Sequence, residues 1–476
     1  MKILLINPHD SNQAILPGSN QVIDQHEFSP PLGLMYLKSY IKSSSDHEIL
    51  LLNAQVPNLI GEDHIIRQID SLRPDLVGIT VHTLNLYDTY RTVSLVKKIN
   101  PSIHVTLGGP HLMVYPEETL HWPGVDSIVI GEGEITFAEM VNRLELKQDL
   151  EGVAGCWFKK NGRVFKNPPR LSAKDIDQYP FPDRSQINPT QHRVPFDTLS
   201  PSAVMVTSRG CPFHCTFCCT MDKHYRERKP QKVVEEMIIC REMGYRSINF
   251  YDDNFNLTTK RVKELCNEIN KQKVGLPWSC RCRVKPVTEE MLSLMAEAGC
   301  SRIHFGAESA TQDILDKMKK NIKVEDSCRA FALARKYGIS TLGYFMIGYP
   351  GETRNQAWNT IRFAFKLNPD FAIFFTLIPG PATEVYQQAL QDSNFGGDYF
   401  LQFSKNPWPR MCCHTWETTI KEKELLRICR LAYLGFYFRP RFLLRSISRI
   451  KSLEDFINKS NVALKIIFSH YRSVKI

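Results

Sequence analysis

The sequence predicts an α/β protein built on two parallel sheets. A doubly wound open sheet is expected over residues 1–145 and a partial (β/α)6 TIM-type barrel over residues 199–390, with a helical basic region over 391–476. Three observations predict it. Short apolar runs alternate with amphipathic stretches in two separate series. A proline-rich polar segment divides the series, and beyond residue 390 the chain becomes helical, basic and aromatic.

The first series reads "KILLINP", "LGLMYLKSYIKSS", "EILLLNA", "EDHIIRQIDSLRP", "LVGITVHT", "YRTVSLVKKIN", "HVTLGGPH" and "SIVIGEGE". Strand–helix alternation with such short connections predicts an open parallel sheet covered on both faces, whose ligand sits beyond the carboxyl ends of the strands. The residues there, "NPHD", "VHTLN", "GGPH" and "GEGE", are small, polar and glycine-rich. They suit a large, mostly uncharged ligand approached by backbone. No GxGxxG follows the first strand, which disfavours a dinucleotide. Residues 146–198 are expected to be a linker: "GCWFKKNGRVFKNPPR" predicts a hairpin turning at Asn161-Gly162, and "QYPFPDRSQINPT" supplies prolines.

In the second series the candidate strands are "SAVMVTSRG", "SINFYDD", "WSCRCRV", "RIHFGAES", "STLGYFMIG" and "FAIFFTLI". Chemistry in such a barrel belongs at the C-terminal strand ends. A cysteine cluster follows the first strand, and "YDDN", "GAES" and "GYPGE" follow the second, fourth and fifth.

Composition narrows the class. At 476 residues the chain exceeds one ordinary core, and 43% apolar with 23% charged residues is ordinary for a globular protein. No run of eighteen apolar residues suggests a spanning helix, and "MKILLINPHD" reads as a buried strand rather than an export signal. Fourteen cysteines without such a signal are expected as thiols or metal ligands in a reducing cytoplasm. Residues 421–476 hold 13 Lys/Arg against 4 Asp/Glu, whereas the other 420 residues hold 47 against 46. A neutral body with a basic tail argues for a local contact surface and against nucleic-acid binding.

Cys211, Cys215 and Cys218 follow C-x3-C-x2-C in "SRGCPFHCTFCC". Three thiolates around a four-iron cubane leave one iron open to a chelating ligand. Zinc completed by His214 or Cys219, and a cluster of buried thiols, are the competing readings; Cys219 is expected to be a bystander.

"CPFHCTFC", with an aromatic residue before the third cysteine, resembles the signature of the radical S-adenosylmethionine (SAM) superfamily. "LGGPHLMVYPEETL" and "VDSIVIGEGEITFAEMV" resemble the cobalamin-binding, Rossmann-like domain preceding the barrel in one large subfamily, which includes the anaerobic magnesium-protoporphyrin ester cyclase and radical methyltransferases. The resemblance covers residues 1 to 390. It implies three cofactors: a 4Fe–4S cluster on Cys211, Cys215 and Cys218, SAM on the open iron, and cobalamin. One electron then cleaves the sulfonium to methionine and a 5′-deoxyadenosyl radical, which takes hydrogen from an unactivated carbon.

Carried over residue by residue, Phe217 matches the aromatic position near the adenine. Tyr251, Asp252, Asp253 and Asn254 stand where the family binds the methionine amino group, with helix capping as the competing reading. Glu308 and Ser309 match a position contacting the ribose or methionine end. Arg283 faces the methionine carboxylate, in competition with Arg281. Gly348 and Gly351 allow close approach to the nucleoside. "IPGPATEVY", residues 378–386, departs from the family's Pro-Gly-Thr-Glu pattern.

For cobalamin the usual Asp-x-His-x-x-Gly loop is missing; His9 is present at the wrong spacing. The expectation is therefore no histidine on cobalt, with Asn7, His82 and Thr83 lining the lower face. Gly108, Gly109, Pro110 and His111, with Gly131, Glu132 and Gly133, would cradle the nucleotide tail. A domain that keeps the fold without the cofactor is the rival reading.

The resemblance implies a C-methyltransferase acting on a small-molecule substrate, lipophilic in some relatives, with a flavodoxin- or ferredoxin-class reductant. The alternatives are a non-methylating cyclisation or rearrangement and a non-catalytic corrinoid or cluster sensor. The basic tail reads either as barrel packing or as peripheral contact with an anionic membrane.

Overall fold

The computed structural model describes residues 1–17, 29–56, 59, 61–192, 199–440 and 442–443. These fall into two compact units: the described residues of Met1–Ile15, Phe28–His192 and Gly397–Met411 form one, and the remainder form the other.

In the first unit the apolar runs become strands β1 (Lys2–Asn7), β2 (Glu48–Asn53), β3 (Leu76–Thr80), β4 (His104–Gly108) and β5 (Ser127–Val129). They lie parallel in the order β2-β1-β3-β4-β5. Ile3, Leu4, Leu5 and Ile6 are all fully buried, so both pleat faces of β1 are covered. Helices Leu32–Lys42 and Gly133–Glu145 pack together on one of those faces, over Ile3, Leu5 and Leu76. The winding reverses between β1 and β3, which opens a crevice at the carboxyl ends of these strands.

Strands β6 (Cys156–Lys160) and β7 (Arg163–Lys166) continue the sheet antiparallel from β5. Asn161 and Gly162 turn between them with φ of 50° and 75°, the positive pair that a tight two-residue hairpin requires. The hairpin expected within a linker is thus the sheet's edge, because Ser127–Val129 needs a partner on its open side. Helix Tyr399–Lys405 also belongs to this unit: the Trp122 indole N–H donates to the Ser404 carbonyl (2.7 Å), and Phe400 and Phe403 are buried.

In the second unit β8 (Ser202–Met205), β9 (Ser208–Arg209), β10 (Arg226–Glu227), β11 (Ser247–Phe250), β12 (Trp278–Arg283), β13 (Cys300–Glu308), β14 (Ser340–Ile347) and β15 (Phe371–Thr376) follow in chain order. Six of them form a parallel sheet in the order β8-β11-β12-β13-β14-β15, while β9 and β10 pair separately. This is the partial barrel. Period-two alternation sends Cys280, Cys282, Ile303, Phe305, Phe345 and Phe374 into the helix-side core and leaves Ser279, Arg281, Arg283, His304 and Tyr344 on the inner face. Thr258, Thr288, Thr353 and Thr383 each cap the helix that follows, accepting from a backbone N–H; such a cap contributes about 1 kcal/mol.

Edge strand β15 is closed by the start of the basic tail. Helix Glu422–Tyr437 buries Leu425, Ile428, Cys429, Ala432 and Phe436 in the barrel core. The Tyr433 hydroxyl accepts from the Phe374 N–H (3.2 Å), and the Tyr437 hydroxyl donates to the Ala372 carbonyl (2.8 Å). Edge backbone that could pair with another chain is thereby occupied. This part of the tail is barrel packing. Residue 441 and residues 444–476, on which the membrane reading also falls, lie outside the described residues. Among the described residues no helix is long and apolar enough to cross a membrane.

Candidate active site

The short β9–β10 ladder pinches off a loop that carries all four clustered cysteines. Gly210 has φ of 82°, and a Cβ there would stand 2.4 Å from the His224 carbonyl oxygen and 3.0 Å from that of Asp222. Only glycine admits that crossing. Next along, the Cys211 N–H donates to the Asp222 carbonyl (3.0 Å), and the Cys218 N–H donates to that of Cys215 (3.1 Å). Thr216 stitches the middle of the loop to the barrel: its N–H donates to Met318 O (3.1 Å), its carbonyl accepts from Val385 N–H (3.1 Å), and its hydroxyl meets Tyr349 OH at 2.8 Å.

Cys211 and Cys215 are half-buried; Cys218 and Cys219 are exposed. Burial pushes the Cys211 thiol up, and Cys218 adds to that. Burial and the same neighbour also raise Cys219. Crowded thiols that resist ionisation need a cationic centre to become thiolates. Among the described residues no three His, Cys, Asp or Glu side chains are gathered closely enough to hold a metal ion as they stand. The donor set, three soft ligands spread along one loop, fits separate corners of an iron–sulfur cluster.

Arg283, rather than Arg281, stands beside this loop. Its guanidinium lies 3.8 Å over the Phe213 ring and donates to Cys215 Sγ (3.5 Å) and to the Lys320 carbonyl. Asn256 fixes its backbone, accepting from Arg283 N–H (2.9 Å) and donating to its carbonyl (2.9 Å). Arg281 is exposed on the inner face with its guanidinium 4.0 Å over the Tyr251 ring.

The "YDDN" residues separate by role. Asp252 is buried and committed: it accepts from Thr207 N–H (2.7 Å), from the Thr207 hydroxyl and from the Ser208 hydroxyl (2.7 Å), with Arg261 at 3.9 Å. It braces the turn leading into the cysteine loop and caps no helix. Asp253 is exposed at the loop and accepts from Gly210 N–H; desolvation by the crowded surroundings, then Asp252, raise its carboxyl. Asn254 is 1% exposed, and neither its amide nitrogen nor its oxygen has a partner. A buried amide left open is costly unless a ligand completes it.

Glu308 holds φ of 60°, uncommon for a side chain of its size, at a bulge against β14. Its carboxylate accepts from buried Lys320 (2.7 Å), whose ammonium lies 5.5 Å over the half-buried Phe217 ring. A side chain on Gly306 would strike both Glu308 Oε1 and Lys320 Nζ. Lys320 was not among the sequence candidates; the glycine inside β13 was the available signal. Ser309 is buried and turned to Thr311 N–H (3.1 Å) and the Thr360 hydroxyl (3.3 Å). Gly348 and Gly351, at φ of 80° and 77°, shape the loop against the C-terminal segment: a Cβ on Gly348 would strike Leu425, and Gly351 N–H donates to Thr418.

In the first unit the remaining candidates gather at the carboxyl ends of β1, β3, β4 and β5. Asn7 donates to Asn53 Oδ1 (2.8 Å), and Thr83 Oγ1 meets His111 Nδ1 at 3.0 Å. His111 is 1% exposed, its Nε2 has no partner, and burial pushes its imidazole down to about 3. His9 is turned to Asp88 (3.4 Å), and His82 is exposed. Gly109, at φ of 139°, crosses Val81 so closely that a Cβ would stand 2.5 Å from its carbonyl oxygen. Pro110 starts the turn Pro110–Met113, and Glu132 precedes the helix that begins at Gly133. At Gly108 and Gly131 a side chain would meet nothing within 4 Å, so the edge is open to a bulky ligand.

The family model for the radical SAM superfamily matches residues 205–364 and that for the B12 binding domain matches residues 25–141. An uncharacterized methyltransferase of Pyrococcus horikoshii is 34% identical over 460 residues, covering 94% of this chain and 95% of the relative. The chain belongs to the B12-binding radical SAM family. Within that family the anaerobic magnesium-protoporphyrin IX monomethyl ester cyclase of Rubrivivax gelatinosus is 29% identical over 82% of this chain and 70% of its own length. The cytidylyl-2-hydroxyethylphosphonate methyltransferase of Streptomyces wedmorensis is 27% identical over 82% of each. Among solved structures, the cobalamin-dependent SAM radical enzyme OxsB superposes with a TM-score of 0.73 at 16% identity, covering 98% of this chain and 72% of OxsB. The methyltransferase TsrM of Kitasatospora setae gives 0.67 at 20% identity over 82% and 76%. At these identities the likeness is one of fold.

Proposed function

We propose that this chain is a cobalamin-dependent radical SAM enzyme that methylates an unactivated carbon of a small-molecule substrate. The observation that carries the reading is the cysteine loop: three thiols on a clamped turn, with Arg283 donating to Cys215. Cys211, Cys215 and Cys218 would hold the 4Fe–4S cluster. Asn254, Asp253, Glu308 and Phe217 would receive SAM. Strand ends Asn7, Thr83, Gly108–His111 and Gly131–Gly133 would hold cobalamin. When bound, these groups supply the electron, the carbon radical and the methyl donor respectively.

What this chain supplies is positioning. With a cluster on the three cysteines, Arg283 would bring a positive charge and an N–H to the Cys215 sulfur, and hydrogen bonds to sulfur raise the potential of such a group. Lys320 holds the Glu308 carboxylate in one place at the end of β13. Asp252 fixes the start of the cysteine loop through Thr207 and Ser208. Gly109 lets the β4 loop cross the end of β3.

The reading includes a flavodoxin- or ferredoxin-class reductant and a cytoplasmic location, with any peripheral membrane contact confined to the tail beyond residue 443. The cyclase relatives favour a second reading, oxidative cyclisation of a lipophilic or tetrapyrrole substrate without methylation. Anaerobically reconstituted protein, reduced with dithionite, should convert SAM to 5′-deoxyadenosine, and isotopic methyl from SAM should appear in the product formed from an extract of cells lacking the gene. 5′-Deoxyadenosine with an unlabelled product would favour cyclisation. No 5′-deoxyadenosine at all would leave a sensor.

A further inference from the structure

The inner face of the barrel carries a polar row, Arg281, His304 and Tyr344, to which the function proposed above gives no role. Arg281 lies on β12 opposite His304 of β13 in the parallel register, with Tyr344 on β14 beyond them and Tyr251 at the end of β11 before them. His304 Nδ1 meets the Tyr344 hydroxyl at 3.4 Å. Burial, then Arg302 and Arg281, push the His304 imidazole down to about 3, so it is neutral across the physiological range. Arg302, on the same strand, lies 5.0 Å over the Phe371 ring.

Arg281 is the unusual member. It is exposed although it belongs to a central strand, which requires open space on that face. Stacking on Tyr251 at 4.0 Å holds the guanidinium plane and leaves its N–H edges available. Among the described residues no carboxylate lies within ion-pair distance of it. Asp253 is its acidic neighbour, near enough for Arg281 to favour the ionised form but not paired with it. Arg283, two residues further along the same face, is beside Cys215. One strand repeat of two residues is about 7 Å, so a group held by Arg281 lies one side-chain layer deeper than the cluster loop.

We propose that the substrate carries an anionic group, a carboxylate or a phosphate-type group, that docks on Arg281 with the Tyr251–His304–Tyr344 row beside it. The inference rests on the barrel being the substrate chamber of the enzyme proposed above. A planar guanidinium offers two parallel N–H bonds to such an oxyanion. Neutral His304 and the Tyr344 hydroxyl add hydrogen bonds without adding charge, which suits a monoanionic or dianionic head with an uncharged body extending towards the cluster.

Calorimetric titration of the reconstituted full chain with inorganic phosphate and, separately, with glutarate tests this at low ionic strength without reductant. One of the two should bind at one equivalent, and the tighter one identifies the head group. Arg281→Gln should weaken it at least tenfold and Arg281→Lys less, whereas Lys260→Gln on the outer helices should not change it. Should Arg281→Gln lose iron, Tyr251→Leu, which keeps the charge but removes its stacking surface, should weaken binding several-fold. The proposal is overturned if neither probe binds the unmodified chain, if these variants bind as it does, or if Arg281→Gln weakens SAM binding by the same factor. Absence of 5′-deoxyadenosine would instead sink the parent reading and is measured separately.

Discussion

Glu352 shows how a single carboxyl behaves when the fold gives it too little water. It is 1% exposed behind the loop after β14; Gly348 N–H donates to its Oε2 (2.6 Å), and burial nevertheless pushes it up to about 7 from the ordinary 4.5. A carboxyl whose pKa rises on folding takes up a proton as the chain folds. Its favourable contribution is full below pH 4.5 and is lost as pH rises through 7. Chemical unfolding of the barrel should therefore show stability falling between pH 5 and 8 by up to about 3 kcal/mol through this group. Glu352→Gln should flatten that slope; an unchanged slope would contradict the assignment. At the same scale the cysteine signature was legible because its three thiols lie close together in the sequence. Lys320 was not, since its pairing with Glu308 depends on a strand bulge and a positive φ that no local pattern announces. Asp252 looked like a ligand because an acid after a barrel strand usually is accessible; here Thr207, Ser208 and Arg261 take its oxygens.

At the scale of an element, the cysteine loop is only as defined as the ladder that closes it. β9 and β10 share two residue pairs, Arg209 with Arg226 and Ser208 with Glu227, and Gly210 lies at their mouth against the His224 and Asp222 carbonyls. Gly210→Ala places a Cβ inside van der Waals contact with backbone at a φ that alanine disfavours. The loop must open, separating Cys211 from Asp222. The variant should bind less than half the iron of the unmodified chain after reconstitution, while far-UV circular dichroism is retained because the six-stranded sheet does not include β9 or β10. Full iron content would show that the ladder is dispensable. The parallel strand–helix alternation of both units followed from the alternating pattern and short connections in the sequence; the order of the strands is a finding of the structure. The closure of β15 by Tyr433 and Tyr437 did not, since a hydroxyl bonded to an edge backbone leaves no periodic trace.

For the whole molecule, the part least legible in sequence is where each compact unit takes its residues from. Residues 146–192 and 397–411 complete the first unit, although composition assigned them to a linker and to the C-terminal region. Contacts such as Trp122 Nε1 to Ser404 O (2.7 Å), Tyr115 OH to Asp398 Oδ1 (3.3 Å) and Ile15 N–H to Met411 O (2.7 Å) span hundreds of residues, and local patterns do not encode them. They have an energetic consequence. A fragment of residues 1–192 would uncover the site of Phe400 and Phe403, each nearly fully buried, and would leave the Trp122 N–H without its acceptor. Loss of even one such aromatic side chain costs about 3–5 kcal/mol. Urea unfolding followed by tryptophan fluorescence should therefore show fragment 1–192 at least about 3 kcal/mol less stable than the same fragment joined through a flexible linker to residues 397–411. Equal midpoints would mean that the returning segment only rests on a sheet that is complete without it.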